Sequence, residues 1–183
     1  MRQLPNAITL VRGLLIPVIG GLLLEERYGE AFWTFAASAL SDFVDGQIAR
    51  RFDARTRFGA IADPVADKLT MLTATLILAA YALLPLWLAT AIVVRDLVIV
   101  CGVVAYQRLV ARVEMAPTWL SKANTVLEFT TLAAVMVNAA GWIEMSRWLP
   151  LLFALVTLTV CASGLQYIWT WGRRALATRA SRA

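Results

Sequence analysis

Six runs of mostly apolar residues follow one another, separated by short breaks. They fall at about residues 8–24, 31–49, 59–81, 86–106, 119–139 and 148–170. Each is near the ~20 residues that an α-helix needs to cross a bilayer. Of the 183 residues 60% are hydrophobic, and their arrangement in long blocks is unlike an ordinary globular domain. A spanning segment has to satisfy its own backbone hydrogen bonds, so the runs are read as helices. The expected fold is all-α, an integral membrane bundle of six transmembrane helices. One membrane domain is expected over residues 1–171, with a frayed basic tail over 172–183. Residues 1–10 leave room for a short interfacial helix.

Charge orients this bundle. Basic residues gather at the N-terminus (Arg2 and Arg12), between residues 50 and 57, around residues 108–122 and in the tail, whereas the connection after the first run carries Glu25, Glu26 and Glu30. The bias of Lys and Arg towards the inner side then puts both termini and the second and fourth connections in the cytoplasm. Because the basic clusters alternate with apolar runs, they read as topology signals and headgroup contacts, not as a nucleic-acid surface. Seven tryptophans lie mostly near run ends, as an interfacial belt would require. Cys101 and Cys161 both sit in apolar runs and suggest neither a disulfide framework nor a metal site. The chain has no histidine, which leaves acid–base and metal chemistry to carboxylates.

Four such carboxylates, Asp42, Asp45, Asp63 and Asp67, stand inside the second and third runs. An ionised Asp at a membrane helix centre costs roughly 2.5–3.5 kcal/mol, so four cost on the order of 10 kcal/mol before compensation. Positions three and four apart share a helix face, which aligns Asp42 with Asp45 and Gly59 with Asp63 and Asp67. Facing stripes at the cytoplasmic ends of adjacent antiparallel helices would bring all four within about 12 Å of that surface. Like charges so close need cations between them. Oxygen donors alone favour Mg²⁺, Mn²⁺ or Ca²⁺, and a pair of ions would suit phosphate oxygens. Gly46, Ala49 and Gly59 lack bulk, so a diphosphate could approach the backbone there. Arg50 offers a planar fork for phosphate, although its place beside Arg51 at a membrane boundary also fits topology and snorkelling.

Together these residues read Asp-x2-Asp-Gly-x2-Ala-Arg-x8-Gly-x3-Asp-x3-Asp, eight fixed positions within 26 residues. The pattern resembles, without departure, the signature of the CDP-alcohol phosphatidyltransferases. The resemblance implies a membrane enzyme that moves a substituted phosphate from a CDP-linked lipid to an alcohol with release of CMP. It further implies a homodimer with two divalent cations, Mg²⁺ or Mn²⁺. By the same resemblance Asp42, Asp45, Asp63 and Asp67 ligate metal, and Asp67 is also the general base. Asp42, Gly46, Ala49, Arg50 and Gly59 contact the CDP group. Localisation would be the bacterial inner membrane, with the active site on the cytoplasmic side.

The N-terminal Asn6, Thr9 and Arg12 resemble the opening of the phosphatidylglycerophosphate synthase and cardiolipin synthase branch, where they would be further substrate contacts. Arg95, Arg112, Lys122 and Asn124 are candidates for the acceptor. Arg95 beside Asp96 is open to two readings, a structural pair or a charge aimed at the acceptor; Glu128 reads as a partner for a nearby cation. Asn124 stands where glycerophosphate-using members tend to carry a lysine. That weakens capture of a free phosphate monoester more than of a lipid phosphodiester, and tilts the acceptor towards phosphatidylglycerol, giving cardiolipin, over glycerol 3-phosphate. A divalent metal-ion transporter is the alternative from another class. It would want a polar path on both sides of the acidic cluster, and the polar residues here collect on one.

Overall fold

The computed structural model describes the backbone over residues 4–51, 57–109 and 118–180, and side chains over 12–41, 65–102, 118–167 and 169–170. Among the described residues the fold is all-helical and contains six helices: α1 (Leu4–Leu24), α2 (Tyr28–Arg51), α3 (Arg57–Ala80), α4 (Leu86–Leu109), α5 (Trp119–Ala139) and α6 (Leu149–Ala180). The apolar runs therefore foretell the elements well, and α5 matches its run end to end. Two ends differ. Helix α1 begins at Leu4 without a separate interfacial piece. Helix α6 continues through Gly172 to Ala180 instead of fraying, since Ala, Arg and Leu, all strong helix formers, dominate the stretch beyond the glycine.

Helix ends explain the short connections. After α1, Glu26 adopts a left-handed φ of 58°, the Arg27 N–H reaches the Leu22 carbonyl at 2.9 Å and the Glu26 N–H reaches that of Leu23. This six-to-one and five-to-two pair is the Schellman arrangement, which satisfies orphan carbonyls. It recurs after α3, with Ala82 left-handed (φ 57°), and after α5, with Gly141 left-handed (φ 70°). Only the third uses glycine, the residue for which this conformation is unstrained. At the start of α5 the Thr118 hydroxyl accepts from the Ser121 N–H at 3.2 Å, an N-cap.

The chain packs as two compact units. The first joins Met1–Pro85 to Leu132–Arg147. In it α1 and α3 run parallel: Arg12 meets Asp67, Gly20 lies against Thr73 and Ile77, and the Tyr81 hydroxyl donates to the Leu24 carbonyl at 2.9 Å. Those pairs keep a nearly constant offset along both helices. Helix α2 packs on the same α1, burying Ala31, Phe35 and Ser38 at helical spacing. Trp142 stacks edge-on against Phe32 and crowds Gly29, where a Cβ would come within 2.6 Å of the indole.

The second unit joins Leu86–Thr131 to Trp148–Ala183. Its helices are tied by polar rungs. Thr118 bonds Gln166, Arg95 of α4 bridges Ser121 and Ser163, and the Thr159 hydroxyl donates to Asn124 at 2.9 Å. As the α5 number rises its α6 partner falls, so α5 and α6 are antiparallel. Polar residues point inward here: Arg95, Asn124, Glu128, Thr131 and Ser163 are all buried. Apolar residues point outward, with Leu97 57%, Leu158 66% and Leu165 67% exposed. This inverts a water-soluble surface.

By length and composition, one segment among the described residues, Leu149–Tyr167, suffices to cross a membrane; Arg12–Leu24 is a shorter apolar stretch. Six of the seven tryptophans have described side chains, Trp33, Trp87, Trp119, Trp142, Trp148 and Trp169, and all six are exposed.

Candidate active site

Helix α3 carries Gly59, Asp63 and Asp67, and α2 carries Asp42, Asp45, Gly46, Ala49 and Arg50, all on helical backbone. Of these eight motif residues, the Asp67 side chain is described and the other seven lie outside the described side chains. Asp67 sits nearly three turns into α3. Its carboxylate Oδ1 accepts a charge-assisted hydrogen bond from Nη2 of Arg12 on α1. The two ends of this pair differ sharply: the Arg12 side chain is 2% exposed and that of Asp67 46%. The arginine belongs to the interior, while the aspartate keeps surface for a further partner.

Such a carboxylate can take a proton from a hydroxyl or ligate a cation. With no histidine in the chain, a donor set built around the motif carboxylates would be oxygen-only, which fits a hard divalent ion. Among the described residues no three Asp, Glu, Cys or His side chains stand together. Asn6 and Thr9 share α1 with Arg12, but their side chains fall outside the described set, as does the whole of Arg112.

The remaining acceptor candidates belong to the second unit. Arg95 is deeply committed: Nε donates to Ser163 at 3.1 Å, Nη1 to Asp96 at 2.8 Å and Nη2 to Ser121 at 2.8 Å. Asn124 is completely buried, its amide nitrogen 3.3 Å from Glu128 and its oxygen engaged by Thr159. Lys122, by contrast, is exposed, with its ammonium 5.1 Å from the centre of the Trp119 ring. What sequence reasoning missed is the link from Arg12 to Asp67. The signal was there, since an arginine within an apolar run needs a partner.

An all-helical fold with an acidic motif on two consecutive helices, its Asp67 joined to a buried arginine on a third, accords with how the chain compares with known proteins. The family model for CDP-alcohol phosphatidyltransferases matches residues 2–169, and the chain belongs to that family. Among curated relatives, it is 32% identical over 184 residues to the chloroplastic CDP-diacylglycerol–glycerol-3-phosphate 3-phosphatidyltransferase 1 of Oryza sativa subsp. japonica, a match covering 90% of this chain. It is 30% identical over 187 residues to the cardiolipin synthase (CMP-forming) of Homo sapiens, covering 93% of this chain. It is also 30% identical over 174 residues to the CDP-diacylglycerol–glycerol-3-phosphate 3-phosphatidyltransferase of Escherichia coli strain K12, covering 91% of this chain and 93% of that one. The match spans only 56% of the rice protein and 62% of the human protein.

Proposed function

We propose that this protein is a membrane phospholipid synthase that transfers a phosphatidyl group from CDP-diacylglycerol to the hydroxyl of a glycerol-containing acceptor, releasing CMP. The observation that carries this reading is the complete eight-residue motif, Asp42 to Asp67, within a chain that belongs to the family over residues 2–169. Relatives named for CDP-diacylglycerol, glycerol 3-phosphate and CMP formation support the substrate class.

In this reading six helices span the membrane, with both termini and the active site at the cytoplasmic face of a bacterial inner membrane. Outward Leu and Val over inward Arg, Asn and Glu support a lipid environment. A second copy of the chain completes a homodimer.

Chemically, Asp67 takes the proton of the acceptor hydroxyl as its oxygen attacks the phosphatidyl phosphorus. The phosphorus–oxygen bond to CMP breaks, and CMP leaves with its electron pair. Arg50 holds the diphosphate, while Gly46, Ala49 and Gly59 admit the nucleotide close to the helix backbone. Divalent cations held by Asp42, Asp45, Asp63 and Asp67 would neutralise diphosphate charge when bound. Chelation should therefore abolish CMP release, and Mg²⁺ or Mn²⁺ should restore it.

Phosphatidylglycerol is the preferred acceptor, giving cardiolipin. Glycerol 3-phosphate is the second reading, favoured by the E. coli relative, whose length this chain matches almost fully. Family membership leaves little ground for a metal-ion transporter. Purified protein incubated with CDP-diacylglycerol and each acceptor separately, with the lipid product identified by mass, decides between the acceptors. No CMP release with either one would overturn the proposal.

A further inference from the structure

The geometry points to Arg12 as a positioning residue for Asp67, one that fixes the carboxylate from inside the protein instead of meeting substrate itself. This inference rests on the reading of Asp67 as the acceptor's base. Three observations support it. Arg12 is 2% exposed on its side chain while the carboxylate it grips is 46% exposed, so the cation lies behind the anion as seen from the open side. An arginine that snorkelled or served topology would carry its charge out to water, the reverse of this arrangement. The contact joins Nη2 to Oδ1, so the guanidinium holds one oxygen of the carboxylate from the buried side.

Nor is the height of Arg12 against Asp67 set by the pair alone. Farther along the same two helices, Gly20 lies against Thr73 and Ile77, and the Tyr81 hydroxyl holds the Leu24 carbonyl. Parallel packing thus delivers the guanidinium to the carboxylate. A base that must meet an arriving hydroxyl gains from such a constraint, because misplacement by about 1 Å can cost roughly 100-fold in rate.

The test uses the purified full-length chain with CDP-diacylglycerol and whichever acceptor it turns over. Arg12→Met should lower kcat by about 30- to 100-fold while leaving KM for CDP-diacylglycerol within about threefold. Arg12→Lys should recover most of the loss. In an Asp67→Glu background, where the carboxylate is already displaced, Arg12→Met should cost less than about threefold more, the non-additivity expected of residues acting as a unit. Independently of turnover, carbodiimide labelling of Asp67 read by mass spectrometry should rise at least about threefold in Arg12→Met relative to exposed Glu26, because a charge-assisted contact has been lost. Should the methionine variant fail to fold, Arg12→Gln carries the same measurements.

A raised KM with unchanged kcat, or losses that multiply in the Asp67→Glu background, would make Arg12 a substrate contact and overturn the inference. Unchanged labelling of Asp67 in a folded variant would remove the contact itself. If Asp67→Asn kept full CMP release, the base assignment would fall instead, and labelling would still report whether the pair exists.

Discussion

Two buried arginines, one in each compact unit, show what surroundings do to the same side chain. Arg95 spends Nε, Nη1 and Nη2 on Ser163, Asp96 and Ser121, tying α4 to α5 and α6. Its carboxylate partner, Asp96, is 23% exposed. Arg12 is just as deeply enclosed, yet the acid it grips is twice as open. A buried guanidinium surrounded by internal acceptors is a strut. One that backs an accessible carboxylate can set up chemistry outside itself. The residue type and burial are alike; the exposure of the partner differs, and substitutions at the two sites test whether the roles differ with it.

Breaking the open side of this comparison should have the largest effect. Asp67→Asn, folded and inserted normally, is expected to lower CMP release by about 10²–10⁴-fold, the range for a lost general base. Retention of full activity would make the Arg12–Asp67 contact no more than a second strut. On the closed side, Arg95→Met removes one partner of a buried charged cluster and should destabilise the fold by about 3–5 kcal/mol. Unfolding in detergent measures it, and turnover per folded molecule should stay within about threefold of wild type. A severe loss of turnover without loss of stability would move Arg95 into the acceptor pocket.

A finer test asks whether the rungs beside Arg95 matter too. Asn124→Ala strips partners from Glu128 and Thr159 and should cost about 1–3 kcal/mol in the same unfolding measurement. If it instead altered the choice between phosphatidylglycerol and glycerol 3-phosphate with stability intact, Asn124 would face the acceptor in the working enzyme. The smallest effect is reserved for Arg27, an exposed arginine whose charged form is favoured by hydrogen bonds to Glu30 and Glu25. Arg27→Ala should leave the melting temperature within about 2 °C of wild type, since exposed ion pairs contribute little. It provides the baseline for the two buried arginines.

Much of this was legible in the sequence, for identifiable reasons. Apolar runs of spanning length are a strong signal, so the helices appear where the runs do. Helix α6 was harder: Gly172 looks like a stop, but the residues beyond it favour helix enough to carry the chain to Ala180. Motif spacing placed Asp67 on α3, while its partner stayed hidden because Arg12 is 55 residues away. Pairing them requires knowing that α1 and α3 are parallel neighbours and at what offset. Asn124 was set among acceptor candidates by comparison with a lysine. Its spacing of four from Glu128 also places both on one stripe of α5, and the two side chains meet there.

The alignment of α1 with α3 has a consequence for where damage can originate. Gly20 stands two helical turns beyond Arg12, roughly 12 Å away, where it faces the side chains of Thr73 and Ile77 on α3. A bulky side chain there would touch no ionisable group, yet by levering the helices apart or sliding one along the other it would carry the guanidinium off its carboxylate. The apolar stretch around Gly20 would act as the fulcrum, and the Arg12–Asp67 pair would inherit every error made at it.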